Sequence, residues 1–241
     1  MEWLNEPGTW ASFLTLSALE IVLGIDNVIF ISLVAARLPK SQQFGARAAG
    51  LAGALILRVA FLASVNWLAQ ATVSLFTVQG IDVSLRDLIL FGGGAFLIYK
   101  GTVEIHAMVE GLEEGERKIG KIGFFGAIFQ IMVLDIVFSI DSVLTAIGMT
   151  QGQPHALPIM IAAIFVAIFL MLVAAGVLGR FIEEHPTTKM LALAFLLLVG
   201  VALVADAFDF HIPRGYLYAA IAFSAAVESL NIMVSKGRRR T

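Results

Sequence analysis

Leu19-Glu20-Ile21-Val22-Leu23-Gly24-Ile25-Asp26-Asn27-Val28 and Leu134-Asp135-Ile136-Val137-Phe138-Ser139-Ile140-Asp141-Ser142-Val143 are one phrase written twice, aligned without a gap. Carboxylate meets carboxylate at Glu20/Asp135 and Asp26/Asp141, small residue meets small residue at Gly24/Ser139, and amide meets hydroxyl at Asn27/Ser142. Chance likeness between two apolar runs reproduces hydrophobicity but not polar chemistry, so the phrase marks an internal repeat.

The surroundings of each copy are apolar far beyond the needs of a soluble core. The 241 residues are 59% hydrophobic and 14% charged, and the charges cluster between long apolar runs. That layout belongs to membrane-spanning helices joined by short loops. Stretches of roughly 20 apolar residues suffice to cross the hydrocarbon. Seven can be marked off: Trp10–Ala36, Phe44–Ala69, Leu88–Met108, Phe124–Met149, Leu157–Arg180, Met190–Phe208 and Tyr216–Val234. The expected fold is an all-α polytopic membrane protein forming a single integral domain. Repeat one covers 10–108, a hydrophilic loop 109–123, repeat two 124–208, and an added seventh helix 214–235. Glu2 and Glu6 precede the first run where a signal peptide would carry basic residues, so that run reads as a retained span.

Basic residues test the count independently, because Lys and Arg collect on the cytoplasmic side. Thirteen fall with one set of loops: Arg37, Lys40, Arg47, Lys100, Arg117, Lys118, Lys121, Arg180, Lys189, Lys236 and Arg238 to Arg240. Arg86 and Arg214 lie on the other side, and Arg58 falls inside span two. The expected orientation in a bacterial inner membrane is amino terminus outside and carboxyl terminus cytoplasmic. The net charge of −2 gives no reason to expect nucleic acid as a partner. The absence of cysteine excludes disulfides, thiolate metal sites and a cysteine nucleophile.

Spans one and four are separated by an odd number of crossings, so the second copy is inverted relative to the first. In transporters built this way the substrate lies near the midplane. Glu20, Asp26, Asp135 and Asp141 all fall near the centres of their spans, where each carboxylate costs about 2.5–3.5 kcal/mol to insert. Such acids are either protonated or share a bound cation. On an ideal helix Glu20 and Asn27 face one way, as do Asp135 and Ser142, while Asp26 and Asp141 are turned by about 120°. Unwinding at Gly24 and Ser139 would bring the second acids inward and expose carbonyl ligands. This all-oxygen set suits Mn²⁺, Ca²⁺ or Mg²⁺, and the residues alone do not choose among them. Matched acids could also act as protonated interhelical glue, or Asp26 and Asp141 as an aspartyl dyad. The repetition of an acid and an amide or hydroxyl beside each aspartate favours a carrier over an enzyme.

Other polar residues fit less tightly. Glu228 and Asn231 share a face of span seven and could add a third wall or a proton relay. Asp206 lies at the outer end of span six and Glu104 at the inner end of span three, open to gating or anchoring. Arg58 could serve as a counter-ion that releases an empty site, or could snorkel. Gly92-Gly93-Gly94, with Gly50, Gly53 and Ala54, reads as close helix packing. The loop Glu110–Lys121 reads as a solvated tether.

Glu20-Ile-Val-Leu-Gly-Ile-Asp-Asn27 with Asp135-Ile-Val-Phe-Ser-Ile-Asp-Ser142 resembles the signature pair of the TerC family of integral membrane proteins. The resemblance continues through His185-Pro186-Thr-Thr-Lys-Met-Leu-Ala-Leu-Ala-Phe195 and Phe210-His211-Ile-Pro-Arg-Gly-Tyr216 to the Glu228…Asn231 helix. It implies manganese export, with Glu20, Asp26, Asn27, Asp135, Asp141 and Ser142 as core positions and Mn²⁺ as substrate, no cofactor being required. Protons, the lipid bilayer and a second copy of the chain are the other expected partners. The sequence stops at Arg240-Thr241 without the CBS domains of some relatives, so nothing in it leads to an expectation of nucleotide regulation. The competing expectation is a component of a membrane-protein assembly or tellurite-stress complex, with structural acids and no transport.

Overall fold

The computed structural model describes residues 7–64, 74–78, 81–111, 123–150 and 155–238, with the side chains of residues 7, 78, 81, 141 and 235–238 outside that description. The tether expected over Glu110–Lys121 therefore lies almost wholly outside the described residues, and so does the Asp141 side chain. The elements in chain order are α1 (Pro7–Leu23), α2 (Ile25–Ala35), α3 (Lys40–Ala63), β1 (Ser74–Val78), β2 (Ile81–Ser84), α4 (Leu85–Val109), α5 (Phe124–Thr150), α6 (Ala156–Glu184), α7 (Pro186–Ala207) and α8 (Arg214–Arg238).

Five of these helices are each long and apolar enough to cross a membrane. Two further spans are bent pairs, which brings the described total to seven. The bent pairs are the two copies of the repeat. Gly8–Leu23 meets Ile25–Ala35 at 46°, and Phe124–Ile140 meets Ser142–Thr150 at 42°. Large apolar side chains such as Phe129, Phe165, Phe169, Val173 and Val177 are exposed. Lipid, as apolar as they are, is the solvent that makes this surface stable.

The chain packs as two compact units. The first contains α1, α2, α3, the β-hairpin, α5 and α6 as far as Arg180; the second contains α4 from Leu90, α7 and α8. Each repeat thus gives its first two spans to one unit and its third span to the other.

In the first unit, α3 lies along α5. The buried positions of α3 are Ala46, Arg47, Gly50, Leu51, Ala54, Arg58 and Leu62, a stripe with helical period. Its small residues bring the two helices close. A Cβ on Gly50 would stand 2.7 Å from Ile131 Cγ2, and one on Gly53 would stand 2.6 Å from Met132 Sδ. Arg58 rides on the same stripe one turn beyond Ala54, so its side chain is delivered into the helix interface and does not snorkel.

The hairpin is a departure from the all-helical expectation. β1 and β2 pair antiparallel in the register Phe76↔Val83, Thr77↔Asp82 and Val78↔Ile81, with an irregularity between Ser74 and Phe76. Thr77 Oγ1 donates to Asp82 Oδ1 at 2.6 Å. Ser84 closes the strand and caps α4: its backbone N–H donates to Asp87 Oδ2 at 2.9 Å, and the Asp87 N–H donates back to Ser84 Oγ at 3.3 Å. This reciprocal exchange satisfies two amides that a helix start leaves without partners.

In the second unit, α4 and α7 cross at Gly94 and Gly200, each of whose Cβ positions lies within 2.9 Å of the other's carbonyl oxygen. Gly101 faces Leu197 along the same line of contact. Phe91 and Phe208 meet edge to face at 5.9 Å.

Candidate cation site

The site begins with the break between α1 and α2. Gly24 N–H donates to Ile21 O at 3.2 Å, a three-residue step, and Val28 N–H resumes the helix by donating to Gly24 O at 3.0 Å. A Cβ here would lie 2.9 Å from Glu20 O and 2.9 Å from Met171 Sδ, so the kink depends on glycine. The result is a one-residue break rather than an extended unwinding. It starts a new helix at Ile25 and places Asp26, which is buried, in that helix's first turn, where the macrodipole favours an anion.

The second break does not fall where expected. α5 runs unbroken through Ser139, and its bend lies at Asp141. Ser139 Oγ donates to Ile136 O at 3.0 Å and Ser142 Oγ to Ser139 O at 3.2 Å. Serine hydroxyls that bond back to carbonyls of the preceding turn bend a helix without breaking it, and serine lacks the conformational freedom of glycine.

Between these two bent spans the repeat-related residues meet. Glu20, Asp135 and Arg58 are each 2% exposed, too little for water to solvate their charges. Arg58 grips Asp135 with two parallel hydrogen bonds, Nε to Oδ2 and Nη2 to Oδ1, both 2.8 Å. Its third contact, Nη1 to Glu20 Oε2, is 2.7 Å. This is the planar fork that distinguishes arginine from lysine.

The amide and hydroxyl cross between the repeats. Asn27 Nδ2 donates to Asp135 Oδ1 at 3.1 Å, and Ser142 Oγ lies 3.4 Å from Glu20 Oε2, within reach to donate. Asn27 thus serves the acid of the other repeat, and Ser142 can do the same when its one hydroxyl proton turns from Ser139 O to Glu20. Arg58 breaks the twofold relation of the repeats, because span five carries no charged residue from Leu157 to Gly179.

The satisfied oxygens are fewer than the buried ones. Glu20 Oε1, Asn27 Oδ1 and Ser17 Oγ are fully buried and have no hydrogen-bond partner among the described residues. Repeat comparison could not find Ser17, since its counterpart is Met132. The signal for it is its place three residues before Glu20, on the same helix face. Met171, pressed against Gly24, is a second residue that sequence reasoning missed.

Among the described residues no three acidic or histidine side chains converge as a ready metal cage. What converges is two acids with an arginine between them. The remaining sequence candidates belong to the second unit. Glu228 accepts hydrogen bonds from Thr187 and Thr188, the latter at 3.2 Å, at the amino-terminal turn of α7, and Asn231 is exposed on α8. A carboxylate there stabilises the positive end of α7 and ties α8 to it. Asp206 pairs with His211 at 3.1 Å at the end of α7. Glu104 is buried within α4.

Comparison with known proteins agrees with this architecture. Residues 5–241 match the model of the integral membrane protein TerC family. The chain is 52% identical over 234 residues to the inner membrane protein YgdQ of Escherichia coli K12, covering 97% of each. It is 48% identical over 237 residues to a UPF0053 protein of Haemophilus influenzae, covering 98% of each. A third relative, YegH of E. coli K12, is 46% identical over 243 residues, but the match spans only 45% of that longer protein. No solved structure matches. The chain belongs to the TerC family of integral membrane proteins and, like its named relative YgdQ, is an inner-membrane protein.

Proposed function

We propose that this protein is a carrier, not an enzyme, that exports a divalent metal ion, Mn²⁺ first among candidates, in exchange for protons. The reading rests on one observation: the two acids equivalent under the repeat are buried together, each with the polar residue of the opposite repeat within hydrogen-bond reach. Glu20, Asn27, Asp135 and Ser142 supply hard oxygen ligands, with Asp26 and Asp141 as the further acids of each motif. Oxygen sets of this kind suit Mn²⁺, Ca²⁺ and Mg²⁺.

Export needs a source of work. Moving two positive charges outward against an inside-negative potential costs about 4.6 kcal/mol per 100 mV, so an open pore would import the ion. Carboxylates that deprotonate to take metal release protons as it arrives, which couples the two flows. With the amino terminus outside and the carboxyl terminus cytoplasmic, the ion enters from the side richer in Lys and Arg.

The test is Mn²⁺ flux in proteoliposomes under an imposed pH gradient, comparing wild type with Glu20→Gln and Asp135→Asn. The expected result is flux that follows the gradient and is lost in both variants. A folded wild-type protein that moves none of Mn²⁺, Ca²⁺ or Mg²⁺ would sink the carrier reading in favour of an assembly or tellurite-stress role.

A further inference from the structure

We propose that the Arg58 guanidinium is a resident surrogate for the transported cation, so that arginine and metal ion occupy the Glu20/Asp135 pair in turn. This rests on the reading of those two acids as cation ligands, and it names what occupies them between transport events.

Arg58 uses three N–H groups on the two acids and so takes up most of their ligand capacity. A metal ion cannot reach both carboxylates while the fork is in place. The guanidinium keeps its charge at every physiological pH, so its departure from the acids is a movement and not a titration. Two buried carboxylates without any cation would carry the full cost of desolvated like charges. Arginine offsets one of the two negative charges, so the other remains for a proton to neutralise while no metal is bound, in keeping with metal-for-proton exchange.

Arginine is also an incomplete substitute. It leaves Glu20 Oε1, Asn27 Oδ1 and Ser17 Oγ without donors among the described residues. A divalent ion, which takes about six or more oxygens, can use acceptors that a planar fork cannot reach. Span five offers no second cation that could take over from Arg58. Exchange at the acids, on this proposal, is between Arg58 and an ion from outside.

The experiment uses the purified full-length chain, with thermal melts and Mn²⁺ binding measured for wild type, Arg58→Gln and Arg58→Lys. In chelator, Arg58→Gln is expected to melt roughly 10 °C below wild type, the scale of breaking a buried ion pair. Mn²⁺ is expected to restore most of that loss, and to bind the variant about tenfold more tightly, because no internal competitor has to be displaced. Arg58→Lys keeps the charge but loses the fork, so it should fold without metal and bind Mn²⁺ severalfold more tightly than wild type. The proposal is overturned if Mn²⁺ fails to raise the melting temperature of Arg58→Gln, or if Arg58→Lys binds no more tightly, while wild type still carries Mn²⁺ flux. Absence of flux and binding in wild type itself would instead remove the cation-site reading beneath it.

Discussion

Gly92 and Gly94 are two residues apart in one helix, yet alanine should act on them with opposite sign. A Cβ on Gly94 would stand 2.7 Å from Gly200 O, 2.9 Å from Val204 Cγ2 and 3.0 Å from Val204 N. Two of those neighbours are backbone atoms of α7 and cannot rotate away. The shortest approach falls about 0.7 Å short of ordinary contact, so α4 and α7 must separate by a comparable distance and weaken their dispersion contacts along the crossing. Overpacking of this kind costs about 3 kcal/mol at its upper end, and replacing glycine in a helix returns about 1 kcal/mol. The net loss of about 2 kcal/mol corresponds to a melting temperature lowered by roughly 4–8 °C in a chain of this size. Gly92 has nothing within 4 Å of its Cβ position, so Gly92→Ala should keep only the propensity gain and melt at or slightly above wild type. Thermal melts of the three proteins in one detergent decide the matter. Equal shifts for the two variants, or a Gly94→Ala protein as stable as wild type, would refute the close crossing.

Three further outcomes follow from the packing. Gly24→Ala should reduce Mn²⁺ flux in proteoliposomes by about tenfold or more while melting within a few degrees of wild type, because Met171 can give way but the Glu20 carbonyl cannot, and the kink angle must change. Glu228→Gln should cost about 1 kcal/mol, seen as a lowered melting temperature, with flux retained within about twofold, since its carboxylate serves the α7 terminus; loss of flux at unchanged stability would return Glu228 to the ion pathway. Ser84→Ala should cost about 1 kcal/mol by removing the α4 cap, read as faster amide exchange in the first turn of that helix.

The spans were legible in the sequence because lipid imposes length and polarity rules on every segment at once. The kink at Gly24 was legible too, since glycine there had a mechanical reason. Its counterpart at Ser139 was misplaced because the repeat aligns the two positions although serine and glycine bend helices differently. The hairpin escaped notice because Ser74–Ser84 is too short for its alternation to stand out between two long apolar runs, even with its β-branched residues. Glu228 was read as a third wall or a proton relay, and its pairing with Thr187 and Thr188, some 40 residues away, carries no sign in the sequence and shows only in the packed unit. Arg58 illustrates the limit most sharply. The sequence placed a cation in span two, but whether it lies in lipid, in a loop face or between two particular acids is a matter of distances.

Those distances also weigh against a purely structural role for the cluster. Replacing a buried ion triad by apolar residues of like volume is often neutral or stabilising, so such a triad is a poor device for stability alone. Here the case is stronger, because three fully buried oxygens, on Ser17, Glu20 and Asn27, receive no hydrogen bond among the described residues, each at a cost of about 1–3 kcal/mol. Interhelical glue would pair those atoms. Oxygens without donors among the described residues, beside two acids held by Arg58, leave room for the bound cation of the proposed carrier. On the proposed carrier reading, a small, hard, doubly charged ion would supply the positive charge that these oxygens lack.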